Sequence, residues 1–176
     1  MAASLPDLSL TDWAVLGVVA DLGPTHGWTV VRELAPDGPL GQIWTVSRPL
    51  VYRSITALTN SGLLEPCGAE PGRGGPQRTI VRATKRGRGA LARWLSRPVE
   101  HVRDVRSVLL LKLAFLDRAG KPAGALVQRQ LDALGPVFDA VRTRPRGQGF
   151  EAILARWRRE QALAVQRFLR SISVPQ

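Results

Sequence analysis

The 176-residue sequence predicts a mainly α-helical protein in two parts: residues 1–97, with one short β-hairpin set among four helices, and residues 98–176, built from helices alone. Three observations carry that expectation. Apolar residues recur at helical spacing through most of the chain. Two β-type runs bracket the turn-rich segment "PGRGGPQ". Beyond "SRPVEH" the composition shifts to helix formers and no strand signal returns.

The first helix is expected over about residues 10–22, within "SLTDWAVLGVVADLG". Ser9 with Asp12 three residues on has the capping-box pattern, Trp13, Leu16, Val19 and Ala20 share a helical face, and Gly23-Pro24 stops the run. "THGWTVVREL" reads as a second, shorter helix with Trp28, Val31 and Leu34 on one face, ended by "APDGPLGQ". The third begins at "SRP", where Ser47 suits the N-cap and Pro49 the first turn, in which its missing N–H costs nothing. Val51, Ile55 and Leu58 then face inward and Gly62 terminates the helix. Arg48, Tyr52, Arg53, Thr56 and Thr59 fall off the core face. "LLEPCGAE" and "RTIVRAT" are the two strands, with Cys67 expected buried or half-buried in the first. Thr84 caps a fourth helix, "KRGRGALARWLS", whose Leu91, Trp94 and Leu95 point inward.

In the second part, "RDVRSVLLLKLAFLDRAG" is apolar on more than one side, which suits a helix packed between two surfaces. "KPAGALVQRQLDALGPVFDAVRTR" carries Leu126, Leu131, Leu134, Phe138 and Val141 as a stripe, with a kink expected at Gly135-Pro136. In the last helix Phe150, Leu154, Trp157, Gln161, Ala164 and Phe168 alternate at spacings of four and three, the seam of a helix pair with one polar position. A terminal helix with that much apolar surface is expected to dimerise, which makes Phe150, Leu154, Trp157, Gln161 and Phe168 the dimerisation candidates.

The order helix, helix, helix, strand, loop, strand, helix is the winged helix-turn-helix plan, in which the third helix enters the DNA major groove and the hairpin, or wing, reaches the neighbouring backbone. Charge follows the same plan. The formal net charge is +11, and between residues 48 and 97 ten basic residues (Arg48, Arg53, Arg73, Arg78, Arg82, Lys85, Arg86, Arg88, Arg93, Arg97) face two acidic ones, Glu65 and Glu70. The hydroxyl of Ser47 and the positive end of the third helix favour a phosphate, Tyr52 and the arginines Arg48 and Arg53 extend that site, and Ser47, Arg48, Tyr52, Arg53 and Thr56 together face outward towards DNA. Arg48 or Arg53 suits a base edge, because a guanidinium pairs bidentately with guanine. Arg73, Gln77 and Arg78 complete the set from the wing.

Other classes have less support. The apolar run "VLLLKLAFL" is broken by Lys112 and is far short of the roughly 20 residues of a membrane span. Cys67 is the single cysteine, so no internal disulfide forms, and no secretion signal is evident; a reducing cytoplasm is the expected compartment. His26 and His101 stand alone, and no His, Cys or carboxylate cluster suggests catalysis, a metal or a cofactor. A sequence-tolerant architectural DNA-binding protein and a winged-helix protein-binding adaptor are the alternatives.

Four segments, "LSLTDWAVLGVVADLGPTHGWTVVREL", "SRPLVYRSITALTNSGLL", "GPQRTIVRATKRGRGAL" and "RDVRSVLLLKLAFLDRAG", resemble the PadR-family transcriptional regulators of bacteria. The matching motifs are His26-Gly27-Trp28, Val51-Tyr52, Gly74-Gly75 and Thr84-Lys85-Arg86-Gly87. Trp28 departs from the family's tyrosine. The resemblance implies a winged-helix domain on double-stranded operator DNA, a C-terminal helical homodimerisation region, and repression relieved by a small effector. By it Tyr52 takes the place of a DNA-contacting tyrosine, and Arg73 and Arg78 that of backbone-contacting residues. Family members bind small hydrophobic or aromatic effectors at a dimer interface, which makes Trp13 and Trp94 conceivable effector platforms, although large indoles more often fill cores.

Overall fold

A capping box starts the first helix, α1 (Leu10–Leu22): the Ser9 N–H and hydroxyl donate to Asp12 Oδ2 at 3.1 and 2.6 Å, and the Asp12 N–H donates to Ser9 Oγ at 3.2 Å. The structure, a computed structural model, describes residues 5–72, 75–143 and 148–173. Trp13 through Val19 are all buried, so α1 is enclosed on every side rather than on the one face expected. Gly23 ends it with a φ of +75°.

Next comes a strand the sequence did not suggest, β1 (Thr25–His26), because two residues carry no periodicity. It pairs antiparallel with Val81 and Ile80. The second helix, α2 (Gly27–Glu33), therefore starts at Gly27, and its core positions are Val30 and Leu34. Trp28, expected to face inward, lies opposite them and is 50 % exposed. In α3 (Arg48–Asn60) Val51 and Leu58 are buried as expected, Ile55 is half-buried, and Ser54 is buried with its hydroxyl donating to Asp12 Oδ1 at 2.6 Å. Gly62 follows with a φ of +68°.

Strands β2 (Leu64–Gly72) and β3 (Gly75–Ala83) pair antiparallel from Leu64 opposite Ala83, completing a sheet in the order β1-β3-β2. The register shifts between Pro66 and Gly68, a bulge that accommodates the proline and leaves Cys67 exposed, contrary to expectation. Thr84 holds the start of α4 (Lys85–Ser96): its hydroxyl accepts the Gly87 N–H at 2.9 Å and donates to the Gly62 carbonyl at 2.9 Å. Leu91, Trp94 and Leu95 are buried. These elements form a winged helix.

A 3₁₀ turn (Val102–Asp104) and a π-helical turn (Val105–Leu109) lead into α5 (Leu110–Arg118), where one continuous helix was expected. Two long helices follow, α6 (Gly124–Thr143), which runs through Pro136, and α7 (Gly149–Ser171). Two compact units result, one of the residues up to Leu95 with Leu111–Gly120, the other of Ser96–Leu110 with the residues from Lys121 onward. A boundary at residue 97 leaves α5 outside the first part, whereas packing places Leu111–Gly120 within the first unit.

Three contacts anchor α5 in that unit. The Phe115 ring occupies the place a side chain at Gly17 would need. Lys112, buried, sets its ammonium 4.9 Å from the centre of the Trp94 ring, which stacks on Trp13 at 5.1 Å. Arg118 donates to Asp21 Oδ2 at 3.1 Å and to Glu33 Oε2 at 2.7 Å, tying α5 to the ends of α1 and α2. Partial burial lowers the pKa of Arg118, but the bonds and charges of Glu33 and Asp21 outweigh it and hold the guanidinium above its ordinary value.

In the second unit Leu126, Val127, Leu134 and Phe138 of α6 are buried, while Leu131 and Val141 are half-buried. Gln130, fully buried, accepts the Val99 N–H at 2.7 Å and donates to the Val99 carbonyl at 2.9 Å. That pair satisfies an amide that would otherwise be costly to bury.

Candidate nucleic-acid interface

The outward face of α3 combines cations, an aromatic ring and hydroxyls. Arg48, Tyr52, Arg53 and Thr56 are exposed and Thr59 is half-buried. Arg48 and Tyr52 are one helical turn apart, with the guanidinium carbon 5.8 Å from the ring centre. Thr56 and Thr59 donate back to the carbonyls of Tyr52 and Ile55 at 3.1 and 2.8 Å, so their hydroxyl protons are engaged within the helix and their oxygens remain as acceptors. That favours Thr56 as a contact to a donor over a contact to a phosphate.

Ser47 has the extended backbone of an N-cap but makes no side-chain capping bond, contrary to expectation. The N–H groups such a hydroxyl normally takes are those of the second and third helical residues, and the second here is Pro49, which has none. Ser47 is exposed, and its hydroxyl stands with the helix's positive end.

Between α3 and the sheet lies a groove of about 650 Å³, lined by Arg48, Tyr52 and Thr56 on one side, Arg78 and Val81 on the other, and Trp28 at its end. Gly27 shapes it: a Cβ there would come within 2.7 Å of Tyr52 Cε1, so the ring rests on the first residue of α2. Glu70, across the hairpin from Arg78, is 3.1 Å from Nε2 of His26, whose Nδ1 is buried with no partner among the described residues. Arg73 lies outside the described residues, and of Gln77 only the backbone, in β3, is described.

The basic excess of residues 48–97 divides on folding. Arg82 pairs with Glu65 at 2.8 Å, Arg86 donates to the Ser61 carbonyl at 3.0 Å, and Arg88 donates to the Ala83 carbonyl. These cations brace the wing and α4, which their charge alone does not signal. Among the described residues no carboxylate pairs with Arg48, Arg53 or Arg78. Trp28 and Arg32, which the sequence did not bring to this surface, flank it from α2 with the guanidinium carbon 5.1 Å from the indole centre. The spacing of Val30 and Leu34 against Trp28 and Arg32 is the signal for it, two opposed pairs four residues apart.

Trp13 and Trp94, the conceivable effector platforms, are buried and stacked face to face with planes 8° apart, their surroundings packed core. The seam of α7 is only partly covered by its own chain: Phe150 and Trp157 are 74 % and 60 % exposed, Gln161 is exposed, and Leu154 and Phe168 are half-buried. The buried residues of α7 are instead Ala162, Gln166 and Leu169, and Gln166 accepts from Arg142 of α6 at 2.7 Å. Beside α7 an apolar cleft of about 360 Å³ is lined by Val102, Val105, Leu110, Val165 and Phe168, with Arg103 and Arg106 also on its wall. Among the described residues no helix is long and apolar enough to cross a membrane, and no three His, Cys, Asp or Glu side chains group as metal ligands would.

No protein-family model matches the chain, and no curated protein matches it. The chain is similar to solved structures of Bacillus subtilis PadR. In complex with operator DNA that protein is 19 % identical over 93 % of this chain and 97 % of its own, with a TM-score of 0.47. In complex with p-coumaric acid it is 18 % identical, and in a third structure of the same protein 17 %, each over 97 % of both chains with a TM-score of 0.43.

Proposed function

We propose that this protein is a DNA-binding transcriptional regulator, a homodimeric repressor acting in the cytoplasm, and not an enzyme. The observation that carries the reading is the outward face of α3, where Arg48, Tyr52 and Arg53 stand without a carboxylate partner among the described residues, beside a groove that Arg78 closes from the wing. A winged helix presents that face to the major groove and its wing to the adjacent backbone. Arg48 or Arg53 then contacts base edges, while Ser47, Tyr52 and the wing residues Arg73, Gln77 and Arg78 position the protein on phosphates.

Dimerisation through α7 is supported by the exposed Phe150 and Trp157, whose contact with water is costly in a lone chain. A two-fold dimer matches a pseudo-palindromic operator. The apolar cleft beside α7, with its two arginines, suits a small hydrophobic or aromatic effector better than the filled Trp13–Trp94 stack does.

The test is selection of bound genomic fragments with the purified protein, followed by salt titration on a selected and a random duplex. A specific regulator prefers the selected duplex by a factor of about 10³ or more. Equal affinity for both indicates an architectural protein, and no binding to either at low salt leaves the adaptor.

A further inference from the structure

Trp28 is the largest side chain of the first unit left half in water, and it sits on α2, outside both the recognition helix and the wing. A bare indole is an expensive surface unless something covers it. Its surroundings are cationic: Arg32, one turn further along, holds its guanidinium over the ring at 5.1 Å, and among the described residues no carboxylate pairs with Arg32. The arrangement repeats that of Arg48 over Tyr52, an arginine and a ring four residues apart. Gly27 brings the two rings to one groove, since Tyr52 occupies the space a side chain there would fill.

We infer that Trp28 and Arg32 form a second DNA anchor, gripping a phosphodiester backbone alongside the contacts of α3. The inference rests on the DNA-binding reading above. Its chemistry suits a backbone strand. An indole N–H only donates, a guanidinium only donates, and both suit phosphate oxygens; the indole face covers the apolar side of a deoxyribose. A phosphodiester backbone is the same at every base pair, so the anchor adds affinity without sequence preference. In a helix-turn-helix the helix before the recognition helix crosses the backbone, which is where α2 lies in the chain order.

The full-length protein tests this with a fluorescent selected duplex and a random one, titrated against salt with Trp28→Ala, Trp28→Phe, Arg32→Gln and Arg32→Lys. Arg32→Gln should weaken binding to both duplexes about tenfold. It should also make the slope of log affinity against log salt shallower by about 0.9, which Arg32→Lys restores. Trp28→Ala should weaken both duplexes alike, and Trp28→Phe should abolish most of the change in tryptophan fluorescence on DNA addition. Thermal melts of each variant separate these effects from misfolding. Wild-type affinity, slope and fluorescence response in the variants would overturn the anchor, as would an affinity loss confined to the selected duplex. If the wild type binds neither duplex, the DNA-binding reading itself fails and the anchor with it.

Discussion

Replacing Asp12 with alanine should cost far more than a surface capping residue normally does, because one carboxylate serves two helices. Oδ2 receives the Ser9 N–H and hydroxyl at 3.1 and 2.6 Å, and Oδ1 receives the hydroxyl of the buried Ser54 from α3 at 2.6 Å. Losing the reciprocal half of the capping box, the acceptor of the Ser9 N–H and hydroxyl, removes about 1 kcal/mol. Leaving the Ser54 hydroxyl buried without its charged acceptor removes a further 1–3 kcal/mol or so, for a total of about 3 kcal/mol. Ser54→Ala deletes the donor and leaves Asp12 to Ser9 and water, so it should cost only about 1–1.5 kcal/mol. Ser9→Ala should cost about 1 kcal/mol. Urea denaturation followed by circular dichroism measures all three, with an unchanged denaturant slope as the sign that stability alone has moved. The double variant Asp12→Ala/Ser54→Ala should be milder than the sum of its parts by about 1 kcal/mol, since removing the donor relieves the orphaned hydroxyl. Additive costs, or an Asp12→Ala no worse than Ser9→Ala, would refute the claim that this carboxylate tethers α3 to α1.

The Arg118→Met variant should lose about 2 kcal/mol, between the small worth of an exposed pair and the 3–5 kcal/mol of breaking a buried one, because its partners are about one-fifth exposed. Since the arginine's pKa is raised, its contribution is complete below the ordinary arginine value and is lost only as pH rises through the higher one, so the difference from wild type in urea titrations should not shift as that group is followed across neutrality. A fragment of residues 1–120 should melt cooperatively while residues 1–97 should not, because the shorter one lacks Phe115 over Gly17 and Lys112 over Trp94; equal melting by calorimetry would contradict that account. Phe150→Ser with Trp157→Ser should yield monomers by sedimentation without lowering the stability of the first unit, and an unchanged mass would remove α7 as the interface.

The winged-helix plan was legible because each of its longer elements carries its own local chemistry: the Ser9–Asp12 box, the turn-rich "PGRGGPQ", and Thr84 ahead of its helix. What escaped depended on partners far along the chain. β1 is two residues long and exists only because β3 offers it an edge. The burial of α1 on all sides needs α3 and α5 to close around it, and its sequence, apolar almost throughout, looks the same whichever face is covered first. Ser54 appears in the sequence as a polar residue on a polar helix; its burial follows from an acceptor 42 residues away.

Charge shows the same division more sharply. Ten basic residues between positions 48 and 97 read as one positive region. Folding engages Arg82, Arg86 and Arg88 with Glu65 and two backbone carbonyls, which cancels or screens part of the field near the wing and the start of α4. Arg48 and Arg78 keep theirs on the surface that α3 and β3 share, and Arg53 keeps its own on the exposed face of α3. A count of cations therefore overstates the interface, and the useful quantity is the number with no acceptor inside the protein. Among the described residues that measure places Arg32, which lies outside the basic stretch, with Arg48, Arg53 and Arg78, and the salt dependence of DNA binding is where the two ways of counting give different slopes.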